Sequence, residues 1–139
     1  MEGREAGFRA PAHASITEAQ IAALVDTFYD QVWSDPRLGP IFSAHIDDRP
    51  AHLATMKRFW SSVLLKTGTY KGRPVPAHIK LAEVQDGDFE IWLGLFREAC
   101  EKTFAPEPAA VVICTAKTIA RSLWLAMFPS PERLQPPWT

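Results

Sequence analysis

The stretch Tyr70-Lys71-Gly72-Arg73-Pro74-Val75-Pro76-Ala77-His78-Ile79-Lys80-Leu81 decides how this chain is read, because it sets two prolines and a histidine between long apolar segments. Pro74 and Pro76 fix φ and disfavour helix for the residues before them. A single short turn of helix can therefore begin only at about Pro76, and that turn would carry His78. Two readings of His78 stand side by side. It is a hydrogen-bonded structural histidine among apolar neighbours, or a residue held inward at a defined height, as an axial ligand to a flat cofactor must be.

Working outward, none of the twelve prolines falls at 12–35, 51–73, 77–105 or 109–128, and the same segments carry apolar residues at helical spacing. Four long helices are expected, with no strand pattern and no internal repeat, so the fold class is all-α. The first follows a capping signal at Ser15-Ile16-Thr17-Glu18, reinforced by Gln20 three residues after Thr17. It runs through Ile21, Leu24, Val25, Phe28, Tyr29, Val32 and Trp33 to Asp35-Pro36. The Pro-rich piece ending Leu38-Gly39-Pro40-Ile41-Phe42 has room for one or two turns and delivers Ile41 and Phe42 as an apolar corner. Asp47-Asp48-Arg49-Pro50 offers a capping carboxylate and an early proline for the next helix. There His52, Met56, Phe59, Trp60 and Val63 share a face, and Lys66 and Gly68 mark its end. Asp86-Gly87-Asp88 is expected to cap a helix with Phe89, Trp92, Leu93, Phe96 and Cys100 on one stripe. Pro106-Glu107-Pro108 opens the last, with Val112, Ala116, Ile119, Leu123 and Met127. Residues 1–14 and the Pro-rich 129–139 read as loosely ordered tails around a single domain at 15–128.

Composition narrows the classes. The 139 residues suffice for one domain with room for a cavity, and 47% apolar with 22% charged residues is the balance of a globular protein. Fifteen basic against sixteen acidic residues, without long runs of either sign, argue against nucleic acid as a partner. No stretch is expected to reach the apolar length of a membrane span, and the N-terminus carries no secretory apolar region, so a cytoplasmic location is expected. Cys100 and Cys114 lie in separate apolar patterns and read as two buried free thiols in a reducing compartment.

Among groups able to do chemistry, His52 and His78 on either side of an apolar slab would suit a haem, one on the iron and the other facing its open side. Phe28, Phe42, Met56, Phe59, Trp60, Ile79, Leu81, Trp92, Phe96 and Leu123 could line that slab, or could equally be solid core. Tyr29 lies on a buried stripe between Val25 and Trp33, where its hydroxyl needs a partner, and bound dioxygen would serve. Trp92 offers an indole N–H from a similar stripe. The chain has no Gly-rich phosphate loop, no carboxylate pair on one helix face and no nucleophile elbow. A non-haem metal site would have to combine His45, His52, His78 and Asp47 or Asp48, of which only His45 and Asp48 have short-range ligand spacing.

Taken in order, Phe28-Tyr29, Leu38-Gly39-Pro40-Ile41-Phe42, His52, Phe59-Trp60, Tyr70-Lys71-Gly72-Arg73-Pro74, His78 and Phe89-Glu90-Ile91-Trp92-Leu93 resemble the group III truncated haemoglobins of bacteria over about residues 16–128. The resemblance implies a shortened globin fold, a two-over-two helical sandwich, enclosing one haem b. It implies His78 as the proximal iron ligand, Phe42 as the aromatic packed on the haem, and Tyr29, His52 and Trp92 as the distal set, with His52 a movable gate. The paired-glycine hinges of the other truncated groups are absent, which favours group III. On this footing the chain is expected to bind dioxygen, nitric oxide and carbon monoxide at a five-coordinate ferrous iron. Slow release would suit redox detoxification or storage better than transport. Nitric oxide dioxygenase or peroxidase-like turnover would need an external reductase, since no reductase domain lies in these 139 residues. Arg73, Lys80, Lys57 and Arg58 are the candidate partners of the haem propionates. A monomer or weak homo-oligomer is expected. The competing readings are a haem-based sensor signalling through a partner and a cofactor-free all-helical interaction module.

Overall fold

The computed structural model describes residues 13–66 and 84–128, and within them the chain is helical, without a strand. The helices are α1 (Glu18–Ser34), α2 (Leu38–His45), α3 (Arg49–Leu65), α4 (Asp88–Thr103) and α5 (Pro106–Met127). The expected short turn at His78, together with the residues around it from 67 to 83, lies outside the described residues, as do 1–12 and 129–139.

The start of α1 follows its local signal. Thr17 accepts the Gln20 N–H, and the Gln20 side chain accepts the Thr17 N–H, closing a capping box. At α3, the Asp48 carboxylate accepts the Ala51 N–H and Pro50 occupies the first turn, where its missing donor is harmless. Between them, one Asp35 carboxylate oxygen accepts the N–H groups of Arg37 and Leu38, turning the chain into α2. Gly39 then lies against the end of α1: a Cβ there would stand 2.7 Å from the Trp33 carbonyl oxygen. Only glycine permits that approach without moving backbone.

Helix α1 is the hub, packed against α2, α3 and α4, while α5 covers the other side of α4. Ile21, Leu24, Val25, Phe28 and Val32 of α1 meet Leu93, Phe96, Ala99 and Cys100 of α4 in one core, which continues through Val112, Ala116, Ala120, Leu123 and Trp124 of α5. Each of the large side chains fully removed from water there contributes roughly 1.5–3 kcal/mol. Ser61 of α3 is buried and donates to Glu18 at 2.7 Å, fastening α3 to the start of α1.

Four local expectations need correction. The sequence puts Lys66 in the last turn of α3 with a glycine after it; instead Lys66 is itself the residue that ends the helix, in the left-handed conformation at φ 62°. Its ammonium donates to the Val63 carbonyl at 2.8 Å, returning a charge to the helix end. Neither aspartate flanking Gly87 caps α4 through its side chain; Gly87 holds the cap position, Asp86 accepts from the Trp124 indole and Asp88 is bound to Arg37. Of the two thiols only Cys100 is buried, and Cys114 is exposed on the outer face of α5. Finally, α5 is long and apolar enough, by length and composition, to cross a membrane. Within this fold one face of it is packed, with Pro108, Ala109, Val112, Ala116, Ala120, Leu123 and Trp124 buried.

Candidate functional site

At the meeting of α2, α4 and α5 lies an apolar cleft. Leu38, Ile41 and Phe42 form one wall, Val84, Asp88, Phe89 and Trp92 a second, and Ala120, Leu123 and Met127 a third. Helical spacing explains each group. Leu38, Ile41 and Phe42 are three and four apart, as are Phe89 and Trp92, and Ala120, Leu123 and Met127 descend one face of α5.

Beside this cleft the aromatic side chains of α1 come together with α3. The Tyr29 hydroxyl is 3.0 Å from His52 Nε2, and the two rings meet edge to face at 5.1 Å and 82°. Tyr29 also touches Phe42 at 6.1 Å between ring centres, and Trp33 at 5.6 Å. Burial pushes the Tyr29 hydroxyl well above its ordinary pKa, so it keeps its proton throughout the neutral range. The guanidinium of Arg49 lies over the Trp33 ring at 4.1 Å and donates to Ser43, closing the α2–α3 corner.

Behind Trp92 the rings are stacked: Trp92 on Phe96 at 5.3 Å and 7°, and Phe96 on Trp60 at 5.0 Å, with Phe28 edge-on to Tyr29, Trp92 and Phe96. Packing of this kind holds the half-buried Trp92 at the cleft with its indole N–H without a hydrogen-bond partner among the described residues.

Of the residues singled out from the sequence, Phe42, Trp92 and Leu123 line the cleft, and Tyr29 and His52 pair next to it. Phe28, Trp60 and Phe96 are packed core behind the wall. Met56 and Phe59 are half-buried against that core. Lys57 is paired with Asp26 of α1 at 3.0 Å, and Arg58 donates to Thr55 at 3.2 Å. Arg73, His78, Ile79, Lys80 and Leu81 fall outside the described residues. Among the described residues no group of three or more His, Cys, Asp or Glu could hold a metal ion.

Sequence reasoning missed Asp88, a charged side chain in an apolar wall. Arg37 Nε donates to Asp88 Oδ1 at 2.8 Å and the Arg37 terminal nitrogen to Oδ2 at 2.9 Å, with the Gln85 N–H a third donor at 2.8 Å. Burial alone would push this carboxyl up, but the Arg37 hydrogen bonds, the Gln85 N–H and the Arg37 charge outweigh it and hold it below the usual carboxylate range. The partner lies 51 residues away in sequence, so no local pattern could have revealed it. Leu38, Val84, Ala120 and Met127 were also missed; the three-residue spacing Ala120–Leu123 on the α5 stripe was the available signal.

No family model matches the chain. It is 36% identical over 110 residues to a Group 3 truncated hemoglobin ctb of Campylobacter jejuni, an alignment spanning 76% of this chain and 87% of the relative. Its fold superposes on the crystal structure of a group III truncated hemoglobin from Campylobacter jejuni with a TM-score of 0.79 and 33% identity, covering 84% of this chain and 95% of that one. The described helices are thus those of a shortened globin, and the likeness in sequence and in fold spans most of both chains. The chain belongs to the group III truncated haemoglobins.

Proposed function

We propose that this chain holds one haem b in the α2–α4–α5 cleft, that His78 would ligate its iron, and that Tyr29, His52 and Trp92 would face the bound gas. The residues present fit such a group. The cleft is lined almost wholly by apolar side chains, among them the flat rings of Phe42, Phe89 and Trp92, as a flat apolar cofactor requires. An otherwise greasy wall carries an indole donor with no described partner. When bound, haem supplies a ferrous iron that takes dioxygen, nitric oxide or carbon monoxide.

The chain's own residues do the rest. Phe42, Trp92 and Leu123 would give the flat apolar contact, and Phe28, Trp60 and Phe96 brace Trp92 from behind; Met56 and Phe59, with Ile79 and Leu81 outside the described residues, are the further contacts expected from the sequence. Tyr29 remains a neutral phenol able to donate, and His52 Nε2 holds that hydroxyl in place. With haem present, Tyr29 and Trp92 would be the donors to a diatomic ligand and would slow its release, which would suit redox detoxification or storage better than transport, with an external reductase as the electron source. Lys57 and Arg58, with Arg73 and Lys80 outside the described residues, are the cations that would be candidates for the propionates, Lys57 at the expense of its Asp26 pair.

The Tyr29–His52 hydrogen bond beside an apolar cleft is the observation that carries this reading. Titrating the purified chain with haemin tests it: a saturable one-to-one Soret change is expected, and His78→Ala should lose the five-coordinate ferrous spectrum. An absent Soret change, or a His78→Ala spectrum like the parent's, would refute the assignment.

A further inference from the structure

Among the described residues lining the cleft, Asp88 is the single charged one, and it is buried. A carboxylate in an apolar wall loses its hydration, and a hydrophobic side chain of similar volume would pack there as well or better. What such a side chain would not supply is the two-pronged fork to Arg37, which sets an angle as well as a distance.

The placement of the two partners shows what that fork connects. Arg37 is the residue immediately before α2, whose Leu38, Ile41 and Phe42 form one wall; Asp88 is the first residue of α4, whose Phe89 and Trp92 form the next. Both ends are anchored independently. The Arg37 and Leu38 N–H groups are held by Asp35 at 2.9 and 2.8 Å, and Asp88 is held by the Gln85 N–H. Helices α2 and α4 otherwise meet over a small area, far less than α1 shares with α4. Both helices are seated on α1, and the fork is the polar link that spans the gap between the Phe42 wall and the Trp92 wall.

We propose that Arg37 and Asp88 are positioning residues of the cleft: their fork sets the spacing of α2 against α4 and thereby the direction of the Trp92 indole N–H. The inference rests on the haem reading for its consequence in ligand binding, but its geometric part concerns the protein alone.

Two readouts test it. In the haem-free chain, the nitrogen-15 correlation signal of the Trp92 indole, assigned by its disappearance in Trp92→Phe, is expected to shift in Arg37→Gln and in Asp88→Asn. In the haem-loaded chain, Arg37→Gln should change the carbon monoxide dissociation rate by about tenfold, and the change should vanish in a Trp92→Phe background, because coupled residues are non-additive. Arg37→Lys keeps the charge without the fork and should move both readouts in the same direction, which guards against a variant that merely fails to fold. An unmoved indole signal in Arg37→Lys, or an Arg37→Gln effect of equal size with and without Trp92, would overturn the proposal. Failure of the parent chain to take up haem would sink the cofactor reading while leaving the indole measurement decisive.

Discussion

Tyr29 Oη lies 3.0 Å from His52 Nε2, joining α1 to α3 across 23 residues of sequence. Because the Tyr29 ring is buried while His52 is half-buried, the bond ties a core side chain to one nearer the surface.

Tyr29→Phe removes the hydroxyl and leaves the ring. A hydrogen bond to a charged acceptor contributes about 1.5–3 kcal/mol, so ligand release from the haem-loaded variant should be roughly ten- to a hundredfold faster. Stopped-flow dissociation at the parent's rate would remove Tyr29 from the site. Folding should suffer less, by about 0.5–1.5 kcal/mol in a urea titration.

Alkaline pH should destabilise the fold. The pKa values of Tyr29 and Cys100 are both raised by burial, that of Cys100 to about 12, with the Glu101 charge adding to the shift. Both groups keep protons in the folded chain that the unfolded chain releases, at about pH 8.5 for the thiol and about pH 10 for the phenol. Their contribution is whole below those values and is lost as pH rises toward the folded pKa values. Thermal midpoints should fall from about pH 9 upward. Cys100→Ala should remove the earlier part of that fall, and an unchanged profile would show that the thiol is not responsible.

At the acid end Asp88 works with the opposite sign. Its lowered pKa makes its contribution complete above the unfolded value of about 3.9 and lost as pH falls through the folded one. Asp88→Asn should flatten the acid limb of the stability profile, measured by circular dichroism; an acid limb as steep as the parent's would show that other carboxylates dominate.

Gly39→Ala forces a methyl to 2.7 Å from the Trp33 carbonyl oxygen and 3.2 Å from that of Val32, both backbone atoms that cannot swing away. A loss of about 1–3 kcal/mol is expected from the urea midpoint. A neutral result would mean that α2 can shift off the end of α1.

Trp124→Phe keeps a large ring at a fully buried position but strips Asp86 of its indole donor. Leaving the carboxylate short of one partner should cost about 1–3 kcal/mol, read from the thermal midpoint. A midpoint equal to the parent's would show that water replaces the indole.

What the sequence determined by itself were the features settled within a few residues. Thr17 with Gln20, Asp48 with Ala51 and the prolines opening α3 and α5 mark helix starts because a cap and its orphan N–H groups are neighbours along the chain. The globin family was legible too, because the ordered spacing of Tyr29, Phe42, His52, Phe59-Trp60 and Trp92 is a one-dimensional property. The tertiary structure alone decided which faces meet. The crossing of α1 with α3 brings Tyr29 to His52; the seating of α2 on α4 brings Arg37 to Asp88 across 51 residues. It also turned Asp86 from an expected cap to a partner of Trp124, and left Cys114 outside. Helical periodicity assigns a residue to a stripe, but the partner of that stripe depends on the crossing angles of whole helices, and those follow from packing the entire core at once.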